Sequence, residues 1–88
     1  MAADEPGGDE LRQLQEQLAA LRVEDFLVSA ASTLASLASA KLEAKDLGEA
    51  KLAIDALGSL LPHVHGELAA ELRSALTGLQ VAFASAAS

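Results

Sequence analysis

The chain contains no cysteine, no tryptophan and no tyrosine, and its only aromatic residues are Phe26 and Phe83. Without cysteine there is no disulfide to staple a small fold, no thiolate chemistry and no cysteine-ligated zinc. Positive charge is scarce as well: six Lys and Arg stand against thirteen Asp and Glu, for a net charge of −7 at pH 7. That balance excludes nucleic acid as a partner, because a phosphate backbone needs a basic patch. A long hydrophobic run is also missing. The uncharged stretch at residues 26–40 has fifteen residues between Asp25 and Lys41, whereas a membrane span needs about twenty. The opening MAADEPGGDE lacks the basic start and apolar core of a secretory signal. A cytoplasmic protein that does not cross a membrane is the expectation.

Alanine and leucine fill the space these absences leave. Twenty of the 88 residues are Ala, and half the chain counts as hydrophobic. In residues 26–40, FLVSAASTLASLASA, the residues Leu27, Ala31, Leu34 and Ala38 recur at helical spacing, with Ala30 and Leu37 widening that face. Ser29, Ser32, Thr33, Ser36 and Ser39 between them are small enough to let another helix approach, and their hydroxyls can bond back to the preceding turn. Eighty-eight residues make one small domain. Ala offers little to bury, so at about 25 cal/mol per Å² the core barely offsets chain entropy. Self-association is the natural remedy, and a homodimer is expected.

In chain order, residues 1–8 combine acids with Pro6, Gly7 and Gly8 and read as a disordered acidic tail. Residues 9–86 read as a single helical domain. Asp9 caps a first helix, 9–22, whose Leu11, Leu14, Leu18 and Leu21 have coiled-coil spacing. Two heptads do not stand alone, so this seam must lean on its own assembly or on a partner. With no Gly or Pro between Arg22 and Phe26 the first helix could run straight into a second, 25–45, ending in Lys41 and Lys45, although the capping preference of Asp25 slightly favours a short break at Val23 to Asp25. Asp46-Leu47-Gly48-Glu49 resembles a capping box and opens a third helix, 47–61, carrying Leu47, Ala50, Ile54, Leu57 and Leu61 on one face. Pro62 ends it. Residues His63 to Gly66 form the turn, or the frayed start, of a last helix, 64–85, with Leu68, Leu72, Ala75 or Leu76, Leu79 and Phe83 inward. The fold class is all-α: a short N-terminal helix plus three longer ones in a small antiparallel bundle.

The segment Asp25 to Leu61 resembles a small uncharacterised bacterial family known as domain of unknown function 1844. The resemblance is carried by Phe26 and the small-residue run, by Thr33 at a hydroxyl position, and by Asp46, Leu47, Ala50, Lys51, Ile54, Asp55 and Leu57. Leu72 and Arg73 extend it into the last helix. The chain departs from the family pattern in a connection shortened to Ala44-Lys45-Asp46 and in Pro62 to Gly66 before the last helix. The resemblance implies a helical cytoplasmic bacterial protein and no assigned activity.

Chemistry-bearing groups are few. His63 and His65, two residues apart, converge on a metal only in an extended turn with a third ligand such as Glu67, and solvated turn histidines are the plainer reading. Asp55 is read as an exposed ion pair with Lys51 one turn away. No serine has a matching His and acid at recognisable spacing, and no Gly-rich loop follows a strand. The expectation is therefore a protein that is not an enzyme and has no cofactor: a helical interaction or scaffold module that self-associates, with an unidentified protein partner left open. Its interface candidates are Leu11, Leu14, Leu18 and Leu21; Phe26, Leu27, Ala31, Leu34 and Ala38; and Leu57, Leu61 and Phe83. The alternative is a binder of apolar ligands or of a membrane surface, which the acidic polar faces disfavour.

Overall fold

Each of the periodic stretches forms a helix in the computed structural model, which describes residues 8–88. These are α1 (Gly8–Ala20), α2 (Val23–Glu43), α3 (Leu47–Leu60) and α4 (Glu67–Ala87), with a 3-10 turn at Leu61–His63 between α3 and α4. The described residues thus form an all-helical structure. Residues 1–7 of the expected acidic tail lie outside the described residues, and Gly8 is the first residue of α1 rather than the last of the tail.

The break between α1 and α2 falls earlier than the capping preference of Asp25 suggests. Arg22 is the N-cap of α2, with extended backbone (φ −82°, ψ 128°) and no side-chain cap bond. Glu24 and Asp25 instead occupy the first turn, where carboxylates suit the positive end of the helix dipole. The Phe26 amide still donates to the Arg22 carbonyl at 3.1 Å, so α2 starts without a lost bond there.

The α2–α3 connection is three residues long and fully hydrogen-bonded. Lys45 adopts a left-handed backbone, φ 62°. Its amide donates to the Leu42 carbonyl at 3.0 Å, and the Asp46 amide donates to the Lys41 carbonyl at 2.9 Å. This pair of bonds is a Schellman closure with lysine where glycine is usual. Asp46 then also caps α3, its Oδ1 accepting from the Glu49 amide at 3.3 Å. The expected capping box forms only by half. Because the Asp46 amide is already committed to Lys41, the Glu49 carboxylate does not return to it and lies 3.9 Å from Lys41 Nζ instead.

At the other end, Pro62 sits inside the 3-10 turn rather than directly after the helix. Val64 is extended (φ −105°, ψ 132°) and completely buried. Gly66 has φ 93° and ψ −170°, a conformation reserved for glycine, and it delays the start of α4 to Glu67.

Helices α2, α3 and α4 pack against one another in all three pairings, α2 with α3 most extensively. One level of the core gathers Ala31, Leu57, Leu61, Val64, Ala69 and Leu72; the next gathers Ala38, Ala53 and Ile54, with Phe83 packed on it. Reading the levels upward, the numbers rise along α2, fall along α3 and rise again along α4. The helices therefore alternate in direction, leaving α2 and α4 parallel to each other. Close approach is made by Ala31, Ala38 and Ala50, each fully buried. The hydroxyl residues do not fill that contact: Ser29, Ser32, Thr33, Ser36 and Ser39 are all exposed. No buried side chain is polar or charged among the described residues.

Helix α1 stands outside this arrangement and contacts none of the other helices. The radius of gyration, 17.6 Å, exceeds the ~12 Å of a compact chain of this length. The longest dimension, 56 Å, is about the length of α1 and α2 laid end to end at about 1.5 Å per residue.

Candidate functional site: an unpartnered leucine helix and an open groove

The heptad spacing puts Leu11, Leu14 and Leu18 on one face of α1, with Leu21 just past its end, and with no other helix packed on them each of the four is between 52% and 58% exposed. Val23 and Phe26, at the start of α2, are exposed to 73% and 61%. The other side of α1 is polar, and an ion pair joins Arg12 to Asp9 in the first turn. A helix of thirteen residues is marginal in water without tertiary support. Covering the exposed half of each leucine would be worth about 1 kcal/mol per residue, a gain that the chain's other helices do not supply.

Among the described residues, two open grooves with largely apolar linings run along α2. The larger, about 500 Å³, lies between α2 and α4 and is lined by Ala35, Ser39 and Leu42 on one wall and by Ala75, Gly78 and Ala82 on the other. Its floor is shallow because these side chains are short. A methyl group added at Gly78 would meet nothing within 4 Å. The second groove, about 320 Å³, lies between α2 and α3 around the exposed Leu37 and Leu52. Its rim carries the Lys41–Glu49 pair.

The structure divides the interface candidates read from the sequence. Leu11, Leu14, Leu18, Leu21 and Phe26 are exposed, and α1 makes no contact with α2 that would bring Phe26 to its leucines. Ala31, Ala38, Leu57 and Leu61 are buried in the chain's own core, and Leu27, Leu34 and Phe83 are packed against it. Those seven are used by the fold of one chain. The α4 wall of the larger groove was not foreseen, although the spacing of Ala75, Gly78 and Ala82 by three and four is the signal that marks it.

Elsewhere there is little to perform chemistry. His63 ends the 3-10 turn and His65 lies in the link to α4, both exposed. Among the described residues no three of His, Cys, Asp and Glu come together as a metal site. Lys51 and Asp55 form the expected exposed pair, 2.9 Å apart with 62% of each side chain open to solvent, which makes their contribution to stability small. No helix among the described residues is long and apolar enough to cross a membrane.

Comparison of the chain with models of protein families, with characterised proteins and with solved structures gave no match.

Proposed function

We propose that this chain is a non-enzymatic interaction module that self-associates, with α1 as the associating element. The observation that carries the reading is the isolation of α1: four leucines in heptad spacing face solvent and touch no other helix of the chain. Such a surface is costly to leave in water and is a usual mark of an interaction site. The composition supports it, since a core built on Ala31, Ala38, Ala50, Ala53 and Ala69 buries little area for a domain of this size. A homodimer supplies the missing area. The resemblance to a helical bacterial family brings no activity that competes with this reading.

The test is the double variant Leu14→Asp, Leu18→Asp, followed by sedimentation equilibrium and circular dichroism. Two carboxylates on the seam abolish self-association and leave α2, α3 and α4 folded. An assembly of unchanged mass would move the association surface off α1.

Attachment to a membrane surface is the second reading, since α1 is amphipathic. Helices that lie on anionic lipid carry Lys and Arg on the polar face, whereas α1 carries Asp9, Glu10 and Glu16 against Arg12 alone. Co-sedimentation with anionic vesicles separates the readings: the module stays in the supernatant.

A further inference from the structure

Helix α2 carries a second periodic line, distinct from the one it buries. Val23, Phe26, Ala30, Thr33, Leu37 and Ala40 recur at spacings of three and four with no charge among them. Phe26, Ala30, Thr33 and Leu37 each stand one residue before a member of the inward line Leu27, Ala31, Leu34 and Ala38, and so about 100° round the helix from it. The chain's own core uses the inward line and leaves Val23, Phe26 and Leu37 of the other exposed. We infer that in the homodimer the α2 helices of two copies pair antiparallel along this open line, Phe26 of each opposite Leu37 of the other, about a two-fold axis between Ala30 and Thr33. The inference rests on the self-association proposed above and assigns to it a contact beyond α1. The arrangement is isologous and closes as a dimer.

Charge selects both direction and register. Arg22, Ser29, Ser36 and Glu43 follow one another every seven residues and flank the line on the side away from Leu27 and Leu34, where flanking charges set the orientation of paired helices. With Phe26 opposite Leu37, Arg22 of one copy meets Glu43 of the other at both ends, and Ser29 meets Ser36, small enough for close approach. Arg22 is free to do so: 75% of its side chain is exposed, and its pairing with Glu24 is long, at 3.8 Å. Lys41, on the other flank, is occupied by Glu49 at 3.9 Å. A parallel pair would leave Arg22 and Glu43 about 30 Å apart. Sliding the antiparallel pair by one heptad in either direction also separates these two charges.

The same register gives the large side chains a place. Phe26 of the second copy comes level with Leu37, at the mouth of the α2/α3 groove where Leu37 and Leu52 stand exposed, and the roughly 320 Å³ of open space there receives its ring. Val23 comes level with Ala40, so α1 leaves its own chain close to the exposed Leu52 of the second copy. Contact area favours the pairing too. At 21 residues α2 offers about six turns for contact, against about four for the thirteen residues of α1. Adding α2 to α1 therefore brings the interface nearer the ~1,200–2,000 Å² of a stable one.

The absence of native cysteine allows single spin labels to be placed on the full-length chain. Ser32→Cys and Ala44→Cys, both at exposed positions, are labelled separately and measured by pulsed electron paramagnetic resonance, with circular dichroism to confirm the helices. The axis passes next to Ser32, so its label is expected within about 25 Å of its copy. Ala44 lies more than twelve residues from the axis, so its labels are expected about 40 Å apart at ~1.5 Å per residue. Short distances at both sites would mean parallel pairing and overturn the inference. Long distances at both, in a chain that is dimeric by mass, would overturn it and leave self-association through α1 in place. A monomer would overturn both. Charge reversal is the second readout. Arg22→Glu and Glu43→Arg are each expected to raise the dissociation constant about fivefold, and the two together in one chain to restore it, because the reversed charges meet again across the axis. A double variant as weak as either single one would overturn the register.

Discussion

Two residues hold backbone conformations that sequence pattern alone does not announce. Lys45 is left-handed at φ 62°, where a Cβ costs about 1 kcal/mol and glycine costs none. Lys45→Gly keeps both Schellman bonds and is expected to stabilise the chain by about 0.5–1 kcal/mol, offset in part by the freedom glycine adds to the unfolded state. Thermal unfolding checks it, and a loss of stability would show that the Lys45 side chain makes a compensating contact. Gly66 is the opposite case. Its φ of 93° lies in a region closed to other residues, and nothing stands within 4 Å of an added methyl. Gly66→Ala is therefore expected to destabilise by about 1–3 kcal/mol through strain alone, measured by urea titration. A neutral outcome would mean that the link relaxes without disturbing α4. Asp46 was legible as a cap. That it also closes α2 was not, because the double role depends on a three-residue connection whose geometry the residue types do not specify.

At the scale of the element, helix existence was legible and helix ends were less so. The periodicity of Leu27, Ala31, Leu34 and Ala38 identifies α2 because burial against α3 rewards that face alone. The start of α4 was misplaced by three residues because His63 and Val64 are compatible with a helix, and only the glycine backbone at Gly66 forces the extended link. Val64 illustrates the cost: read as a turn residue between two histidines, it is one of the largest side chains that is fully buried. The serines of α2 were assigned to helix contact when the alanines make it. A small side chain permits both an approach and an exposed groove, and composition does not say which. A substitution in α2 separates the two sides. Ala31→Leu, in the core, is expected to overpack and destabilise by about 1–3 kcal/mol, whereas Ser36→Leu on the exposed side changes folding stability by less than about 0.5 kcal/mol. Equal effects would mean that Ala31 is not pressed between helices.

At the scale of the whole molecule, three helices form the core and the fourth is left over. The folded unit rests on a handful of larger side chains among alanines, so Leu57, with no exposed surface, is expected to matter most. Leu57→Ala should cost about 2–5 kcal/mol, a large fraction of the roughly 5–15 kcal/mol that holds a folded domain together. The sequence shows that α1 has a seam, but not that the seam goes unused within the chain, since that depends on the short α1–α2 link. The account's central proposal is that the leucines of this seam are buried when a second copy is present. Light scattering of the intact chain at two concentrations a hundredfold apart addresses it directly. The account predicts a mass of twice 9.0 kDa at the higher concentration, falling toward the single-chain mass only on dilution. A folded monomer at both concentrations would contradict it and leave four leucines in water without a reason.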